Sequence, residues 1–129
     1  MEAIKRLGIW MDHSKANLIE YNTISEPLVI ELNYSHQNKM ADLHHSESGM
    51  HHKEKQIQEV YFKKIGVEIL KYNQVVLFGP TNAKDELHNY LSKTVQFKDV
   101  RFNVLDADKM TDNQQKAYVD SHFNSSLGK

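Results

Sequence analysis

Residues 74–79, Gln-Val-Val-Leu-Phe-Gly, form a nearly continuous apolar run that Gly79-Pro80 closes. A strand with one wet face alternates polar and apolar residues; a run like this one suits a strand covered on both faces. Helical patterns flank it. Ile57, Val60, Tyr61, Ile65 and Ile69 recur at a period of 3.6 before the run, and Ala83, Leu87, Tyr90 and Leu91 do so after it. A buried strand between amphipathic helices points to an α/β domain.

The remaining segments fill in the sheet. Residues 4–12 are β-leaning, and residues 15–22 alternate, with Ala16, Leu18 and Glu20 on one face and Asn17, Ile19 and Tyr21 on the other. Asp12-His13-Ser14 reads as the turn between them. A third strand over 27–33 opens after Ser25-Glu26-Pro27, giving an antiparallel meander. Residues 100–108 alternate Val100, Phe102 and Val104 against Arg101, Asn103 and Leu105, a further strand. Helices are expected from about Lys53 to Tyr72, from the Thr81-Asn82 turn to Leu91, and from Thr111 to about Phe123. Thr111 with Gln114 spells a capping box, and Asn82 with Asp85 a variant of one. Gly66 falls inside the first helix at a cost of about 1 kcal/mol relative to Ala, so either the backbone packs closely there or the helix bends.

The expected fold class is therefore α/β: a mixed five-stranded sheet, an antiparallel β-meander followed by a βαβ unit, with helices on its faces. The βαβ strands should be parallel and joined by a right-handed crossover. The 129 residues fit a single domain over 1–124, with a polar, histidine-rich loop at 34–52 and a frayed tail at 125–129. With 40% hydrophobic residues the chain has a core to build, and a disordered protein is not expected. No apolar run approaches the roughly 20 residues of a membrane helix, and the opening lacks the pattern of a signal peptide. Cysteine is absent, so neither a disulfide framework nor a thiolate metal site is available. A cytoplasmic protein without membrane contact is the natural reading.

Five of the eight histidines, His36, His44, His45, His51 and His52, lie in the polar segment or at its end. The formal net charge is -1 with histidines neutral, unlike a strongly basic nucleic-acid binder. Yet the segment turns cationic below about pH 6.5. Two chemistries fit it. His44, His45, His51 and His52, helped by Glu47 or Glu54, hold enough nitrogen and oxygen donors for zinc; adjacent histidines in an extended loop point apart, so each pair supplies one ligand. Alternatively the segment enters the N-terminus of the helix expected at Lys53, where free N–H groups favour an anion. Lys39, Lys53 and Lys55 add charge there, and such contacts hold a phosphate backbone without reading sequence. A mobile polar loop with no partner remains the plain alternative.

The element order, with residues 59–91, resembles the central domain of archaeal and eukaryotic class I peptide-chain release factors and of their ribosome-rescue relative Pelota. The run from Phe62 to Gly66 followed by Glu68, and Gly79, Pro80 and Lys84 at the strand-to-helix turn, carry the resemblance. Residues 9–21 resemble the opening of small single-domain bacterial relatives labelled translational machinery proteins. The likeness covers roughly residues 5–123 and implies a ribonuclease H-like, release-factor central-domain architecture. The family's loop before its long helix carries Gly-Gly-Gln, whose glutamine acts in peptide release. Here the matching stretch is Gly49-Met50-His51-His52-Lys53, so that reaction is not expected.

The resemblance implies a non-catalytic factor associated with RNA or the ribosome. Lys39, His51, His52, Lys53, Lys55 and Lys84 are its candidate phosphate contacts, and no cofactor is required. The Gly79–Lys84 turn lies where open α/β sheets bind ligands, but it lacks the P-loop pattern, and a turn-plus-cap role is the favoured reading of it. A metal-dependent hydrolase is the alternative, using a divalent ion held by the histidines and the strand-end carboxylates Asp12, Asp106 and Asp108. Turn chemistry accounts for these aspartates equally well. A third reading is a protein-interaction module with an exposed sheet edge. Trp10, inside a strand, is expected to be buried rather than to stack on a base.

Overall fold

A computed structural model describes the backbone of residues 4–23, 26–32 and 47–127, and their side chains except at 47–54, 126 and 127. Five strands, β1 (Arg6–Met11), β2 (Lys15–Glu20), β3 (Leu28–Glu31), β4 (Gln74–Gly79) and β5 (Arg101–Asp106), form one sheet in the order β3-β2-β1-β4-β5. The β1–β2 and β2–β3 pairs are antiparallel, whereas β1–β4 and β4–β5 are parallel. The mixed sheet expected from the sequence is the one observed. Its helices are α1 (Glu47–Ile69), α2 (Ala83–Ser92) and α3 (Asp112–Leu127), with a 3₁₀ turn at Val95–Phe97.

The pleat sorts side chains between two cores. Leu7, Ile9 and Met11 of β1, Ala16 and Leu18 of β2, and Val75 and Leu77 of β4 meet Tyr61, Phe62, Ile65 and Ile69 of α1 and Leu87 and Leu91 of α2. On the opposite face Trp10, Ile19, Val76 and Phe78 meet Val119 and Phe123 of α3. The β4 run thus feeds both cores, as a strand covered on two sides must. Trp10 is buried, as expected. Among the described residues no helix is long and apolar enough to cross a membrane.

Local chemistry fixes the connections. The Asp12 carboxylate accepts from the N–H groups of Ser14 and Lys15, both at 2.8 Å, which closes the β1–β2 hairpin. Thr111 and Gln114 form the reciprocal capping box: the Thr111 N–H donates to Gln114 Oε1, and the Gln114 N–H to Thr111 Oγ1. A Cβ on Gly66 would stand 3.1 Å from both Leu91 Cδ2 and Phe97 Cζ, so close packing is what the mid-helix glycine serves. Gly79 has φ +154°, and a Cβ there would lie 2.2 Å from the Met11 carbonyl oxygen. Only glycine lets β4 end against β1 in this way.

Three helix boundaries differ from the sequence reading by three residues or more, while the strands other than β4 are shorter than read by up to two residues at an end. α1 begins at Glu47, not near Lys53, so residues 47–52 of the expected loop are helical. Periodicity detects only the part of a helix that packs on a core, whereas Glu, Met and Lys are helix formers without any apolar stripe. The same helix stops at Ile69; the Lys71 and Tyr72 N–H groups turn back to the carbonyls of Glu68 and Ile69, three residues earlier. α3 continues to Leu127, past the expected end at Phe123 and into the expected tail. The Asn82 side chain makes no capping bond; Thr81 Oγ1 takes the Ala83 N–H instead.

Candidate functional site

The C-terminal ends of β1, β4 and β5 share one edge of the sheet with the start of α2, and α1 is tied to that edge part-way along its length. The Tyr61 hydroxyl donates to the Asp12 carbonyl at 3.0 Å, and Gln58 Nε2 donates to Glu86 at 3.2 Å. The other Glu86 oxygen lies 3.4 Å from His13 Nε2, so one carboxylate links the hairpin, α1 and α2. Burial, and then the Asp12 charge, push the Tyr61 phenol well above its ordinary range, which keeps it a hydrogen-bond donor. About three turns of α1 precede Gln58.

Lys84 changes character in the structure. It is 2% exposed, and its ammonium meets the Thr81 carbonyl at 2.5 Å and Asp106 Oδ1 at 2.9 Å. The side chain ties the β4–α2 turn to the end of β5, and it does not present its charge to a ligand. The expectation of a phosphate contact at Lys84 is corrected accordingly. The sequence held the signal: Lys84 lies three residues before Leu87 and seven before Leu91, on the buried stripe of α2.

The other candidates divide by position. Lys55 is exposed on α1. His51, His52 and Lys53 lie in the backbone of α1, past the four leading N–H groups of a helix that starts at Glu47. An anion at these residues would therefore meet side chains, not free helix N–H groups. Lys39, His36, His44 and His45 lie outside the described residues. Asp12 serves its turn, Asp106 pairs with Lys84, and Asp108 is exposed. Among the described residues, no three His, Cys, Asp or Glu side chains stand together around a possible metal.

Charge is unevenly spread. Asp12, Asp85, Glu86, Asp106 and Asp108 crowd the C-terminal strand edge, while on α1 exposed Lys55, Lys63 and Lys64 outnumber exposed Glu59 among the described side chains. A polyanion is repelled by the first set and attracted by the second, so the helix, not the strand edge, is the better phosphate surface. Residue spacing alone does not show this, because it depends on which edge the sheet turns toward the helix.

The fold has known counterparts. The chain is similar to the crystal structure of the Pelota protein of Thermoplasma acidophilum, with a TM-score of 0.55 and 14% identity over 95% of this chain and 32% of that one. It is also similar to Archaeoglobus fulgidus Pelota, at a TM-score of 0.59 and 9% identity, over 98% of this chain and 35% of that one. The chain thus spans about a third of the Pelota chains it matches, and its fold is Pelota-like. No protein-family model matches the sequence. No curated protein matches it either.

Proposed function

We propose that this protein is a non-catalytic factor that associates with the ribosome or with structured RNA, as a single domain of the release-factor and Pelota central-domain type. The observation that carries the reading is α1. It begins about three turns before Gln58, which joins it to Glu86 at the sheet edge, and has lysines exposed along its described length, on a Pelota-like fold. Its contacts are to phosphate, made by the side chains of Lys39, His51, His52, Lys53 and Lys55. Such contacts position a protein on RNA without reading sequence. Gly-Gly-Gln is absent from the stretch that matches the release-factor loop, so the proposed role is binding and not peptide release. The working compartment is the cytoplasm, where ribosomes are.

The test is co-sedimentation of the untagged protein with ribosomes, wild type against a K39E/K53E/K55E variant. Binding at low salt that the variant loses is the expected result. Equal sedimentation of both proteins, or none of either, would overturn the proposal.

A further inference from the structure

The 3₁₀ turn after α2 carries a surface that the RNA reading leaves unused. Two hollows meet there, sharing Thr94 and Phe97 as a common wall. One, of about 380 Å³, lies between the end of α2 and β5, with Lys93, Lys98, Val100 and Phe102 in its lining. The other, of about 190 Å³, lies against α1, with Lys63, Val67, Leu70 and Tyr90. Val95 is 76% exposed, Val67 56% and Leu70 43%. Exposed aliphatic residues scattered singly are ordinary, but these three surround adjoining hollows.

The charged residues that line them, Lys63, Lys93 and Lys98, have one sign. No aspartate or glutamate lines either hollow. Among the described residues Lys63, Lys93 and Lys98 have no carboxylate partner. The nearest acids in sequence are Asp99, which is exposed beside Lys98, Glu59, which is exposed one turn before Lys63 but lines neither hollow, and Glu68, which is bound to Lys71 at 2.8 Å. A phosphate backbone would use the lysines and gain nothing from Val67, Leu70 and Val95. A bilayer would cover the aliphatics but leave the hollows unfilled. A helix does both: side chains one turn apart fill neighbouring hollows, and acids flanking them face the lysines.

We propose that this surface docks an acidic amphipathic helix of a protein partner, with two apolar side chains seated in the hollows and carboxylates facing Lys63, Lys93 and Lys98. The site uses none of the five proposed phosphate contacts and shares with that surface only Lys63, at its edge on α1, so either proposal can fail without the other.

The probe is a synthetic, side-chain-stapled helical peptide with leucines at i and i+4 and glutamates on their flanks. Its control carries lysine in place of each glutamate. Amide spectra of the isotope-labelled protein report where each binds. The glutamate peptide is expected to shift Val67, Leu70, Thr94, Val95 and Gln96, and the lysine peptide to shift none of them. K63E/K93E/K98E should weaken the glutamate peptide by about tenfold or more. An independent V95S/L70S variant should weaken it with no change of charge in the patch. All five side chains are exposed, so unshifted amides elsewhere confirm that each variant is folded. The proposal is overturned if both peptides bind alike, if the patch amides do not move, or if the variants bind as wild type. It is also overturned if a single-stranded RNA oligonucleotide or anionic vesicles shift these amides and the glutamate peptide does not.

Discussion

The two faces of the sheet are covered in different ways. On the α1–α2 side the layer is the larger apolar cluster; its polar groups reach partners at the rim, the Tyr61 hydroxyl at the Asp12 carbonyl and the buried Lys84 ammonium at Thr81 and Asp106. On the α3 side the apolar cluster is smaller, and polar groups are buried beside it. Asn17 Nδ2 donates to Gln115 Oε1 at 2.7 Å, and Gln115 Nε2 donates to the Met110 carbonyl at 3.0 Å. Asn17 Oδ1 and Trp10 Nε1 are buried with no hydrogen-bond partner among the described residues. One layer is held mainly by the area it removes from water. The other has less area and is aligned by a hydrogen-bond chain and by the close approach of Val119 to Gly8.

If that contrast is right, truncating the apolar face costs most. Leu87 is fully buried, and Leu87→Ala should destabilise the fold by about 2–5 kcal/mol, read from urea unfolding. On the other face the sensitive change is an addition. A Cβ on Gly8 would lie 2.1 Å from Val119 Cγ2, so Gly8→Ala should cost about 1–3 kcal/mol through overpacking. Adding Val119→Ala should restore part of that loss; full additivity of the two changes would mean that the helix does not rest on this glycine.

Asn17→Ala should cost about 1–3 kcal/mol, because it leaves the Gln115 acceptor buried and unpaired. An N17L/Q115L double variant should cost less than the two single changes summed. A sum equal to or below the double would show that the pair is not coupled.

The smallest effect is on pH dependence. Burial lowers the His122 imidazole below its ordinary 6.5. The unfolded chain therefore binds this proton more readily than the folded one. The contribution is full above about pH 6.5 and is lost as pH falls through the lower, folded value. His122→Gln should flatten stability over that interval, measured as urea midpoints at stepped pH.

The sequence made the sheet legible because period-2 alternation and the Gln74–Gly79 run are direct consequences of which faces are covered. The observed β4 has the same bounds as that run, and the Thr111–Gln114 capping box is present as read. The start of α1 was not legible, because the sequence of residues 47–52 carries no apolar period. Lys84 was misjudged by its residue type, although its spacing from Leu87 and Leu91 placed it inside. The Asn17–Gln115 pair joins residues 98 apart, and nothing local marks either as a partner. For the candidate site, residue types named the lysines. Their separation from the carboxylates of the strand edge needed the topology.

The most direct measurement of the central claim, that lysines on and before α1 hold a phosphate backbone, is the salt dependence of ribosome affinity. Lys39, Lys53 and Lys55 would be changed together to glutamine and the logarithm of the association constant followed against the logarithm of salt. Each lost phosphate contact removes about 0.7–0.9 from the slope, so the triple variant should bind more weakly with a slope shallower by about 2. An unchanged slope with unchanged affinity would contradict the account.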